Sequence, residues 1–249
     1  MRRTPADVPD PAAEEVATAF EESRGRYGAR KTKASLARRG IVLSRRRIVR
    51  IMKGKGLISA YADAKFKPSR SSAEDADVPN IVNREFDGRP PRTHVVSDLT
   101  YVRVGARWCY VCLLIDLYNR EIVGHAAGER KDAGLVKSAF ATLSFPLGDI
   151  EVFHTDRGPE FNNAAIDELL DVLEIKRSLS AKGCPYDNSV DESTNKILKA
   201  EFAYRERFST LRELQAKLSD YVSWYNNFRL HSTLGYMSPV EFRLAGLTL

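Results

Sequence analysis

The order of hydrophobic periodicities after Arg92 constrains this chain most. "HVVSDLTYVRV" (94–104) alternates, Gly105-Ala106 turns the chain, and "RWCYVCLLID" (107–116) continues the pattern. "REIVGHAAG" (120–128) follows a second turn at Asn119. Three sequential strands joined by short turns predict an antiparallel meander. Helical spacing then takes over at Leu135, Val136, Ala139, Phe140 and Leu143. "IEVFHTD" (150–156) predicts a fourth strand. Ile166, Leu169, Leu170 and Leu173 predict a helix, and "IKRSLS" (175–180) a fifth strand. Helices fill the rest. "TLRELQAKLSDYVSWY" opens with a capping box, Thr210 and Glu213, and "SPVEFR" with Ser238, Pro239 and Glu241.

The first 60 or so residues predict three short helices and no strand. Asp10 and Pro11 open the first, which closes at Gly25, with Val16 and Phe20 as its apolar stripe. "ARKTKASLARRG" ends at Gly40. In "VLSRRRIVRIMKGKG" Ser44 is the cap, and Leu43 and Ile48 are spaced as a hydrophobic staple. Ile48, Ile51 and Met52 face a core. Arg45, Arg46, Arg47 and Arg50 occupy the start and outer face of this helix. A helix-turn-helix reader offers that part of its second helix to the major groove. The expected organisation is a basic, helix-turn-helix-like DNA-binding segment at 1–61, a Pro- and Ser-rich linker at 62–92, and a larger domain at 93–249.

Charge supports that division. The net charge is +6, yet residues 24 to 70 hold 16 Lys or Arg against the single acid Asp63. Such a block implies a polyanion partner, most simply nucleic acid; the alternative is a basic surface that binds nothing. No run of 18 apolar residues is present, so no membrane span is expected. "MRRTPADVPDP" lacks the apolar segment of a secretory signal, so a cytoplasmic location is expected. Cys109 and Cys112 form a C-x-x-C inside a predicted strand, where residues three apart point to opposite faces. Packing is the expected role of these cysteines, not metal binding.

The acids carry the chemistry. Asp98 lies within the first strand and shares parity with Val96, Thr100 and Val102, a face where a charge needs a partner. Asp156 ends the fourth strand. Glu192 lies near the start of the helix after the fifth. Three carboxylates without softer ligands suit Mg²⁺ or Mn²⁺ better than Zn²⁺. Two such ions serve phosphoryl transfer on DNA by activating one oxygen and stabilising another. Singly, each acid has an ordinary alternative: an arginine partner, a turn residue, a first-turn helix acid.

The element order is that of the ribonuclease H-like fold, a mixed α/β sheet with flanking helices. Thirty-five residues separate Asp156 from Glu192. With "SDLTYV", "FHTDRGPEF", "GCPYDNSVDESTNKILKAE", "LLIDLYNREIVGH" and "YNNFRLHSTLGYMSPVEFR", the chain from about Arg92 onward resembles the transposases of the bacterial insertion-sequence-three family. The core of that family is similar to retroviral integrase. "RYGARKTKASLARRGIVLSRRRIVRIMKGKGL" resembles its helix-turn-helix-like segment. The resemblance implies that Asp98, Asp156 and Glu192 are the catalytic and metal-binding acids, holding two Mg²⁺ or Mn²⁺ ions with DNA bound. It implies DNA ends and target DNA as partners, and a homo-oligomer on DNA at the bacterial nucleoid. It also implies an upstream-frame partner protein, because family members are often made as a frameshift fusion and the basic helical part begins early here. His94, "ESTN" and "GPEF" depart from the family pattern without touching the three acids.

Around Glu192, a 100° period places Asn188, Asn195, Lys196 and Lys199 on one helical face, the expected DNA-facing side, with Lys199 on a phosphate. Asp187 is expected to cap this helix and Asp191 to be a solvated first-turn acid. His154 shares strand parity with Asp156; contact with substrate and a satisfied core histidine both fit. Tyr186 and Gly183 are expected on a mobile loop beside the site, and Asp116 and Arg120 as an ion pair. A rival reading is a non-catalytic DNA-binding regulator derived from a transposase; a structure-specific nuclease is a third.

Overall fold

The computed structural model describes residues 10–62, 78–181 and 185–249. The chain forms two compact units, 1–65 and 66–249; each is taken by itself.

The first unit contains α1 (Ala13–Glu22), α2 (Ala29–Ala37) and α3 (Arg45–Gly54). Val16, Ala19, Leu36, Leu43, Ile48, Ile51 and Met52 form its core, with Phe20 only partly buried. Ser44 caps α3 by accepting the Arg47 N–H. Helix α1 begins later than Asp10 suggested. The Asp10 carboxylate accepts the Ala12 N–H and then leaves the helix, engaged by Arg47 and Arg50 of α3.

The second unit is built on one five-stranded sheet: β1 (His94–Val104), β2 (Arg107–Asp116), β3 (Ile122–Gly128), β4 (Val152–Thr155) and β5 (Lys176–Leu179), in the order β3-β2-β1-β4-β5. β1 to β3 form the expected meander. β4 runs parallel to β1, and β5 parallel to β4. Helices α4 (Ala133–Phe140), α5 (Ala164–Val172), α6 (Ser189–Leu198), α7 (Leu211–Asn227) and α8 (Pro239–Leu244) complete the unit. α4 and α5 cover one sheet face, burying Val136, Phe140, Ile166 and Leu170 against Val95, Leu114 and Phe153. Each such side chain contributes about 1.5–3 kcal/mol on full burial. The fit is closest at Gly124, where an added Cβ would stand 2.7 Å from the Ala139 carbonyl oxygen. α6 packs on β1 from the other face, and α7 reaches β3 there through His125 and Ser219. α8 has a complete Ser238–Glu241 capping box behind Pro239.

Two sequence expectations change, and the cysteines behave as expected. Part of the expected linker packs against the sheet: Val82 is fully buried, and Ser178 Oγ of β5 accepts the Ile81 N–H. Asp116 does not pair directly with Arg120. It accepts the Arg92 and Tyr118 N–H groups, while Arg120 pairs with Asp87. Cys109 and Cys112 are buried free thiols. Burial pushes Cys112 up to about 12, which suits packing and not metal binding.

The C-terminal tail is tied down by charge. Beyond α6 the chain makes a π-helical turn, Lys199–Ala203. Glu201 within it accepts a bidentate pair from Arg229, Nε to Oε2 at 2.8 Å and Nη2 to Oε1 at 2.9 Å. Tyr221 also donates to Glu201.

Candidate active site

Register brings the first two acids together. Ser97 of β1 pairs with Thr155 of β4 in parallel, so the next residues on each strand are Asp98 and Asp156. Both are partly exposed. Asp98 Oδ1 accepts the Leu99 N–H at 2.7 Å. Asp156 Oδ1 accepts the Gly158 N–H at 2.9 Å and so begins the loop after β4. Burial, with the charge of Asp156 beside it, pushes the Asp98 carboxyl up to about 7.

Helix α6 supplies the third side of the site, in a different rotation from the one its sequence suggested. Asn195 is buried and donates to Asp98 Oδ2 at 2.9 Å. Asp191, one turn earlier, is also buried, 1% exposed, and not solvated as expected. Burial and the neighbouring Asp98, Asp156 and Glu192 drive its carboxyl well above the usual range. Glu192 is more exposed and pairs with Lys196 Nζ at 3.1 Å. Lys199 lies over the Tyr101 ring, 4.8 Å from its centroid. The face expected to look at DNA is therefore divided between Asp98, solvent and Tyr101.

The start of α6 is held from the sheet. His154 is buried; its Nε2 lies 3.1 Å from the Asp187 carbonyl oxygen and 3.0 Å from Asn188 Oδ1, while Nδ1 faces Ser178 Oγ at 2.8 Å. Two acceptors at Nε2 require the proton there, and burial lowers the ring's affinity for a second. His154 positions α6 from the core. Asp187 does not cap the helix. It accepts from Arg84 Nε at 2.7 Å and from the Ala181 N–H at 2.9 Å, partners its local sequence could not reveal. Tyr186 is 72% exposed; Gly183 lies outside the described residues.

Opposite α6, Lys131 pairs with the buried Glu160 at 2.8 Å and also faces the charges of Asp98 and Asp156. Sequence reasoning missed this pair; the only signal was the acid in "GPEF". In the first unit, Arg45, Arg46 and Arg50 are exposed, Arg47 holds Asp10 at 2.6 Å, and Arg50 reaches the same carboxylate at 3.1 Å.

The donor set around Asp98 is all oxygen, which suits a hard divalent cation. Among the described residues, no three acids, histidines or cysteines stand close enough to hold an ion as they are placed.

Comparison with known proteins agrees with the fold. The family described as an integrase core domain matches residues 89–185, and a second integrase core domain family matches 192–247. A helix-turn-helix-like domain matches 9–65. The putative transposase InsK of insertion sequence element IS150 from Escherichia coli is 31% identical over 92% of this chain and 81% of its own length. The transposase of IS904 from Lactococcus lactis is 30% identical over 92% of both chains. A chain of the simian T-cell lymphotropic virus intasome, 16% identical, shares the fold with a TM-score of 0.52 over 91% of this chain and 73% of its own. No helix among the described residues is long and apolar enough to cross a membrane. With an integrase core, a helix-turn-helix-like segment and these relatives, the chain belongs to the insertion-sequence-three family of DNA transposases.

Proposed function

We propose that this transposase cuts DNA at the ends of an insertion element and joins the freed 3′-hydroxyls to target DNA, with Asp98, Asp156 and Glu192 as catalytic acids. The observation that carries the reading is the parallel register that sets Asp98 beside Asp156, with α6 against β1. The three acids would hold two Mg²⁺ or Mn²⁺ ions. Bound ions would supply Lewis acidity to the attacking and leaving oxygens of a phosphodiester. Asn195 orients the Asp98 carboxylate, and His154 with Asn188 sets the start of α6. Lys196 and Lys199 would meet phosphates, Lys196 after exchanging Glu192 for DNA. Arg45, Arg46 and, after releasing Asp10, Arg50 of α3 would face duplex DNA; Arg47, tied to Asp10 through two nitrogens, would fix that helix instead. The working form is a homo-oligomer on DNA at the bacterial nucleoid, with an upstream-frame partner.

The test is a labelled element-end duplex incubated with Mn²⁺, the full chain and any upstream-frame partner, beside Glu192→Gln. Wild type should nick and join the duplex, and Glu192→Gln should bind it equally without product. Tight binding by wild type with neither nick nor joint would sink the enzyme reading in favour of a DNA-binding regulator. Cleavage of branched DNA without joining would favour a nuclease.

A further inference from the structure

We propose that Asp191 is a fourth carboxylate ligand of the cation site, presented beside Asp98 by the buried face of α6. The inference rests on the metal-dependent reading above and adds a residue to it.

Both Asp191 oxygens are buried with no hydrogen-bond partner. Asn195, four residues on and therefore on the same helical face, donates its Nδ2 to Asp98 and leaves its buried Oδ1 without a partner. Thr100 Oγ1, which shares strand parity with Asp98, is in the same condition. Among the described residues of 66–249, the other buried side-chain polar atoms without a hydrogen bond belong to Glu160, which has Lys131 as its ion-pair partner. All are oxygens. What Asp191 lacks is a positively charged neighbour.

Among the described residues, the site's neighbouring cations are engaged by other groups. Lys131 is on Glu160, Lys196 on Glu192, Arg84 on Asp187, and Arg157 on the Ser180 carbonyl oxygen. An unpaired carboxylate is among the most costly groups to bury, and a residue of similar size without charge would fill the same volume. A divalent cation with its waters accepts carboxylate, amide and hydroxyl oxygens together. The α6 face thus offers Asp191 and the Asn195 carbonyl to an ion that Asp98 would hold.

The test uses the full chain and Mn²⁺ as probe, with binding read by calorimetry and by the Mn²⁺-induced rise in Tm. Asp191→Met, Asp191→Asn and Asp98→Asn are compared with wild type, and folding is checked by circular dichroism. Asp191→Met should melt above wild type in EDTA, because the buried carboxyl without a hydrogen-bond partner is gone. Both Asp191 variants should bind Mn²⁺ about tenfold more weakly, or worse, and lose most of the Tm rise. A folded Asp191→Met with wild-type Mn²⁺ affinity overturns the inference, as does a wild-type chain with no Mn²⁺ response. If only Asp191→Met keeps wild-type binding, the reading of Asp98 survives and this inference alone falls. If Asp98→Asn keeps it too, both fall.

Discussion

Asp116 shows how a single buried acid ties stability to pH. It is 1% exposed, and burial pushes its carboxyl up to about 6 although the Arg92 and Tyr118 N–H groups oppose this. The folded chain therefore keeps a proton on Asp116 between about pH 4 and 6, where the unfolded chain has lost it. A raised acid stabilises fully below its unfolded value, and that contribution disappears as pH rises through the folded one. Asp116→Asn removes the titration. Relative to this variant, wild type should lose on the order of 3 kcal/mol between pH 4 and 7, read by urea unfolding at each pH. A constant difference across that range would contradict the assignment. Asp98 and Asp156 were legible in sequence because strand parity and strand ends are local properties. Asp187 and Asp191 were not. The partner of Asp187, Arg84, is more than a hundred residues away in sequence, and the burial of Asp191 depends on which side of α6 meets β1.

Helix α6 carries site residues at one end and anchors the tail at the other. Its π-helical turn brings Glu201 to Arg229 in a pair at most 3% exposed. Glu201→Gln would leave the Arg229 guanidinium buried without a countercharge. The expected loss is about 3–5 kcal/mol in urea unfolding, with an unchanged m value. A loss under about 1 kcal/mol would mean that water or Tyr221 compensates. Caps were readable, since Ser44, Thr210 and Ser238 act within one turn of their own helices. The π turn was not, because its Glu201–Arg229 pair spans 28 residues. For the same reason α6 was assigned one continuous DNA face, while the structure divides that face among Asp98, solvent and Tyr101.

At the scale of the molecule, charge is divided between the two units. Residues 66 to 249 carry −3, because the whole chain is +6 and residues 1 to 65 carry +9. The sheet unit alone, 66–249, should fold with a single cooperative transition yet bind duplex DNA at least about tenfold more weakly at low salt, with a shallower salt dependence than the full chain. Equal affinity and slope would place the DNA contacts on the sheet unit instead. The sequence by itself determined the element order, the two-part organisation and three acids from three separate elements. Periodicity, turns and charge density are written in neighbouring residues. Tertiary structure decided which acid α6 buries against Asp98, where His154, Asp187 and Glu201 find partners, and that residues near Val82 pack against β5. Those outcomes depend on surfaces meeting from distant parts of the chain, and on the cost of burying charge where they meet.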